Sequence, residues 1–467
     1  MIEPIKLDFV NATPGPKGRF PKNLWFRMAG LHGGPELYGS PGHTALVTPK
    51  YAEVRGLFSH EEQSYAVIGN SFYKINSSMT ATLIDTLEST SGPVSMDTSD
   101  THLMITDSNT DGYLYSYAAG TLSKITSSEW PGALNCTQVK GFFAFTKPNS
   151  DEIYVSEYHA PATITGTDFL WIEVVGDELV GCMRLGEGLW AFGKKSIEPL
   201  VYTGNADFPF SLQRATLDVG CAATHSITRG DGSLFWLNNH KEICRSQGFD
   251  YVVISPEELT QQICGYSTVD DALFYFMNMD GHGQLVAHFP TEGKTWVHDV
   301  SLPVAQSWSQ WSSGLFDGRH RSNCYTSFEY ANKHLIGDFE NGKISELSLN
   351  TYSDDGANIL RERIPPAIKA NGKKVKHHSL KIEGRKGVGD LSTTNPRCTL
   401  DWSDDLNGNI WSNEIKRSLG AIGEYQWEAV FGPSLGTSRH RTYRWKCSEK
   451  VPVSITSGDL KAHQLRN

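Results

Sequence analysis

The stretch VSMDTSDTHLMITDSNTDGYLYSYAAGTLSKITS (residues 94–127) decides the fold class. Short apolar bursts, among them HLMIT and YLYSY, alternate with clusters of Ser, Asp, Asn and Gly. Each burst is too short for a stable helix and is bounded by turn formers, which is the pattern of antiparallel strands. Four strands in so short a stretch make one blade-sized unit. The preceding segment, VRGLFSHEEQSYAVIGNSFYKINSSMTATLIDTL (54–87), has the same grammar. It returns around residues 141–158, 188–204, 233–255, 272–299 and 332–349. Seven passes of roughly 43 residues, each with an aromatic-rich strand, predict an all-β chain built on a β-propeller over 51–350. Seven blades are preferred; six or eight are also compatible, because the register near 300–350 is loose. Blades around a channel leave only short edges, which suits strands this brief.

Residues 1–50 are rich in Gly and Pro and read as an irregular arm. Residues 351–467 carry the alternating segments HHSLKIEG, RCTLDWSDD, QWEAVFG, RTYRWKCS and VPVSITSGDL, expected to form a small antiparallel β-sandwich-like domain. Helix is scarce. SPEELTQQI (255–263), with Ser255 as N-cap and Glu258 three residues later, predicts one short helix.

Nothing at the N-terminus reads as a signal peptide, and no window is apolar enough to span a membrane. The eight cysteines have no pairing cadence, so free thiols and assembly in a reducing cytoplasm are expected. The net charge of −10 hides a division. Residues 1–356 sum to about −18 and residues 357–467 to about +8. An acidic body argues against a free DNA-binding protein. The basic part offers interface candidates in two runs: Lys373 and Lys374, and Arg439, Arg441, Arg444 and Lys446 interleaved with aromatics.

Catalytic and binding motifs fail one by one. GLWAFGKKS (188–196) nearly spells a phosphate loop, but bulky residues fill its interior and Lys195 stands where a hydroxyl should bind magnesium. DSNTDG (107–112) offers Asp107, Asn109 and Asp111 as calcium ligands, yet Ala118 occupies the place of the bidentate Glu. Zinc-ligand spacings and the nucleophile elbow are missing, so catalytic residues, metal and cofactor are all assigned as none. A sialidase reading rests on Arg363-Ile364-Pro365 and on LDWSDDLNGNIWSNEI (400–415), which resembles an Asp box. The Arg lies after the last blade and the loop outside the propeller, so the order of parts is wrong. Asp404 and Asp405 are expected to accept hydrogen bonds from the turn, and Trp402 and Trp411 to pack on each other or on the sheet.

The run from residue 400 to 462, with its W-S-D-D, LGAIGEY, LGTSRHRTYRW and VPVSITSGDL, resembles the C-terminal signature of phage tail hub proteins. These are also called packaged-DNA stabilisation proteins, or nozzles, of short-tailed phages of the Salmonella type. The propeller-like middle and YGSPGHT (38–44) are similar too, and Phe431 replaces a more usual Trp. The resemblance implies a non-enzymatic virion tail protein assembled in the host cytoplasm. It implies a hexameric ring below the portal and adaptor that extends the DNA channel and retains packaged DNA. It also implies partners: portal-adaptor proteins, a tail needle, tailspikes or fibres, and double-stranded DNA in passage. The alternatives are a receptor-binding propeller module and, further off, a sialidase-like hydrolase.

Overall fold

The computed structural model describes residues 4–28, 34–107, 110–166, 168–172, 176–205, 208–213, 215–313, 327–330, 333–369, 372–405, 408–424 and 428–465. The chain divides into two compact units. One comprises residues 45–292 and 322–346; the other comprises 1–44, 293–321 and 347–467.

The first unit is the propeller. Five four-stranded meanders follow one another, starting at Val54–His60, Val94–Thr98, Cys136–Val139, Leu179–Leu185 and Thr228–Gly230. Two more hairpins begin at Leu273–Met279 and Ser327–Tyr330. The seven leading strands touch in sequence order, and the last touches the first, which closes the ring. Blades pack face to face through apolar residues on alternate positions: Tyr65, Val67 and Phe72 of the first meet Leu103, Ile105 and Tyr115 of the second. Close approach at the hub selects glycine. A Cβ at Gly56 would stand 2.5 Å from Met96 and 2.6 Å from Val94 of the next inner strand.

Two expectations change here. The calcium candidate is closed: Asp107 is buried, bonded by the Arg55 guanidinium and by Ser89 Oγ. Asp111 is held by Lys124 at 3.0 Å, and Asn109 lies outside the described residues. Asp107 and Asp111 are cross-strand partners at the end of a hairpin, each already engaged by a cation of its own. The helix is found at Glu257–Cys264, but Ser255 is not its cap. The Ser255 hydroxyl accepts the Ile243 N–H and bonds Thr260 instead.

The second unit is a sandwich of two sheets. One sheet orders Leu24–Arg27, Glu36–Gly39, Ser454–Gln464, Val375–Gly384 and Ala429–Phe431. Pro4–Lys6 also pairs with Ser454–Gln464, and Thr437–Ser438 with Val375–Gly384. The other orders Arg361–Arg363, His440–Cys447, Arg397–Ser403 and Ile415–Ser418, with Ile368–Lys369 added to His440–Cys447. Phe9, Leu37, Leu380, Ile382, Leu400, Trp445 and Leu460 lie in their common core. A register shift between His377 and Ser379 turns both His377 and Leu380 inward, although they are an odd number of positions apart.

The opening residues are therefore not a separate irregular arm. The strands Pro4–Lys6, Leu24–Arg27 and Glu36–Gly39 are only three or four residues long and are set among Gly and Pro, too brief to show alternation. Pro4–Lys6 and Glu36–Gly39 both pair with Ser454–Gln464, more than four hundred residues along the chain, and Arg363 fastens the segment after the first strand. Arg363 is fully buried and donates to the carbonyls of Asp8, Phe9, Asn11, Thr13 and Ile364. Burial pushes its guanidinium down to about 10, opposed by Asp8, and it remains a cation at neutral pH. A side chain whose donors all face backbone carbonyls has none left for a substrate carboxylate.

Candidate interaction surface of the sandwich

His440–Cys447 carries the second basic run through the middle of its sheet, and strand alternation sorts it onto two faces. Arg441, Tyr443, Trp445 and Cys447 point inward and are buried. Arg441 is 2% exposed and forks onto Asp404, Nε to Oδ1 at 2.6 Å and Nη2 to Oδ2 at 2.7 Å. Its guanidinium lies 5.0 Å from the Trp402 ring, and Nη1 donates to the Leu435 carbonyl. Burial works against its charge, but the Asp404 hydrogen bond and charge together with the adjacent Tyr443 outweigh it and raise its pKa.

Arg444 and Lys446 lie on the other face, and both are engaged there. Arg444 forks onto Asp401, its cross-strand partner, at 2.9 and 2.5 Å. It also stacks 3.9 Å from the Trp411 ring centroid. Lys446 bonds Glu414 and lies 3.5 Å from Asp401; its hydrogen bond holds the Glu414 carboxyl below the usual range. Trp411 has Arg19 on it as well, at 5.6 Å. Arg19 donates to the Gly408 carbonyl and Lys17 to Asn409, so the opening segment clamps the loop.

Asp404 and Asp401 neutralise arginines of their own sheet, and Trp402 and Trp411 are the plates those arginines lie on. Asp405 alone behaves as a turn residue, accepting the Asn409 N–H at 3.1 Å. The missed signal was the register, which sets Asp401 against Arg444. Spacing along one strand does not reveal what stands on the next.

Of the six interface candidates, Arg441, Arg444 and Lys446 are therefore used inside the domain. Lys373, Lys374 and Arg439 are exposed and have no ion pair among the described residues. Val375 pairs with Ser438 and Lys376 with Thr437, which brings the two sequence-distant runs to one sheet edge. Lys369, exposed and paired in register with His440, and exposed Lys376 extend the same edge. Five exposed cations, none of them in an ion pair among the described residues, thus share one edge of the sandwich.

Comparison with known proteins agrees with both halves of this architecture. The family model described as bacteriophage P22 Gp10, beta-propeller, matches residues 17–352. The model described as bacteriophage P22 Gp10, beta-sandwich, matches residues 360–463. The chain belongs to the P22 Gp10 family. It is a phage tail structural protein with a propeller followed by a sandwich. A search of curated proteins returned no match.

Solved structures show looser likenesses. The WD40 propeller domain of Doa1 is 10% identical over 66% of this chain and 97% of that one, with a TM-score of 0.44. PorZ of the Porphyromonas gingivalis type-IX secretion system is 12% identical over 80% and 46%, at 0.41. The computationally designed Ika8 protein is 10% identical over 74% and 99%, at 0.39. Among the described residues no helix is long and apolar enough to cross a membrane.

Proposed function

We propose that this P22 Gp10-family chain is the tail hub, or nozzle, of a short-tailed phage. Six copies form a ring below the portal and its adaptor, extend the DNA channel, help to retain the packaged genome, and anchor the needle and tailspikes or fibres. The observation that carries the reading is the pairing of the two family matches, which together span the propeller and the sandwich. The protein works as a scaffold in the virion tail and has no catalytic role.

The charge division gives this reading a physical rationale. Residues 1–356, near −18, suit a surface along which phosphates slide rather than stick. The basic edge at Lys369, Lys373, Lys374, Lys376 and Arg439 then meets acidic surface on a neighbouring copy or on the adaptor. The test is charge reversal of Lys373, Lys374 and Arg439 to Glu, with ring formation and incorporation into tails followed by sedimentation and electron microscopy. Assembly should weaken, most at low salt. Wild-type assembly at every ionic strength would remove the edge from the interface, and a chain that stays monomeric with portal and adaptor present would sink the hub reading.

A further inference from the structure

A pocket of about 400 Å³ opens at one mouth of the propeller. Its walls come from five consecutive blades, from the fifth round through the closure to the second, which stand across the ring from each other. Glu53 and Pro93 immediately precede the inner strands of the first and second blades, and His225 lies just before that of the fifth. Asp270, Asp271 and Leu273 introduce the sixth, and Phe339 follows the hairpin of the seventh. Residues from opposite sides of a ring can share a cavity only across its centre, so the pocket is axial.

Its chemistry is one-sided. Three carboxylates line it, and no Lys or Arg does. Nearby Arg55, 3.9 Å from Glu53, is committed to Asp107 and to the carbonyls of Gly69, Ser89 and Gly92. Asp271 accepts the Thr291 N–H through Oδ2, while its Oδ1 is buried and accepts no hydrogen bond among the described residues. A buried carboxylate oxygen without a donor is costly, and a cationic donor relieves it. Desolvation lowers the His225 imidazole to about 4, so it stays neutral and offers a lone pair without opposing a cation.

Two kinds of cation could answer this. Among the described residues no three His, Cys, Asp or Glu converge as metal ligands, so the acidic groups are spread too widely for a bare ion. Leu273, Pro93, Pro290 and Phe339 supply an apolar wall beside them. Carboxylates together with an apolar wall fit a charged head on a hydrocarbon stem. We propose that this axial pocket is a binding site for a lysine or arginine side chain presented by a partner protein. The inference concerns the propeller alone and does not depend on the chain forming a ring.

The experiment titrates the full chain with Nα-acetyl-lysine amide and Nα-acetyl-arginine amide by calorimetry and ligand-observed NMR. Nα-acetyl-norleucine amide and 1,5-diaminopentane serve as comparison ligands. At least one of the two cationic amides should bind saturably in the millimolar range, and norleucine, with stem but no charge, at least tenfold more weakly. Asp271→Asn keeps an acceptor for Thr291 and should weaken binding at least tenfold with an unchanged melting temperature. Asp270→Asn, at an exposed residue, is the second variant should the first fold poorly, and should weaken binding several-fold. Equal binding of norleucine, unaltered binding by the well-folded variant, or no saturable binding would overturn the proposal. So would binding of the diamine alone, which would assign the pocket to free polyamines.

Discussion

Replacing Arg363 by Met keeps the stem and removes the fork, which isolates the polar role of this residue. Four carbonyls of the 8–13 segment lose their donor: those of Asp8, Phe9, Asn11 and Thr13. At about 1 kcal/mol net for each hydrogen bond, the gross loss is about 4 kcal/mol. The variant also escapes the desolvation that lowers the Arg363 pKa, so the net falls to about 3 kcal/mol. That loss is local, because the segment is held by Leu7 N–H to Gly458 O and by the pairing of Pro4–Lys6 with Ser454–Gln464. Hydrogen exchange should therefore accelerate about 100-fold at Leu7 and in the paired strand, with propeller amides unaffected. Arg363→Lys should fall between, since one ammonium cannot span the same carbonyls. Unchanged exchange at Leu7 in the Met variant would refute the idea that this arginine fastens the opening segment.

Asp404→Ala strands the buried Arg441 and should destabilise the sandwich by about 2–3 kcal/mol in urea unfolding; a loss under about 0.5 kcal/mol would mean that solvent replaces the carboxylate freely. His377 is buried between Ser438 and Tyr443, and desolvation lowers its pKa to about 4. The unfolded chain therefore binds more protons between about pH 4 and 6.5. Stability should fall as pH drops through that window, by up to about 3 kcal/mol, and His377→Gln should flatten the profile measured by denaturant melts. In a Cys324→Ser background, one thiol should react quickly with a thiol reagent in native protein, at exposed Cys264. The six buried thiols, whose pKa values burial raises, should react only after unfolding, and Cys264→Ser should abolish the fast phase.

The propeller was legible because each blade is local: its strands follow one another, and its core residues recur with period two. YLYSY marked the second blade, and its Tyr115 lies in the core shared with the first. The sandwich was legible only in part. Leu380 and Ile382 alternate visibly, but Pro4–Lys6 pairs across almost the whole chain, and no local pattern marks such a strand. The interface candidates divided for the same reason. Arg441 and Arg439 look alike in sequence, and the difference between them is Asp404, which reaches Arg441 from another strand. The axial pocket had no signature at all, since its carboxylates come from blades far apart in the chain.

The pairing of Pro4–Lys6 with Ser454–Gln464 also sets a timetable. A ribosome adds about 5–20 residues each second, so the first strand waits on the order of half a minute for its partner. During that interval Phe9, Leu24, Phe26 and Leu37 lack the wall of the core they will enter. The inner strands of the propeller, by contrast, are all made by Tyr330 and can close their ring while the sandwich is still incomplete. A nascent chain interrupted before Ser454 would carry a finished ring and an open, apolar sandwich half. Such a fragment would expose apolar surface of the kind that favours aggregation and recruits chaperones.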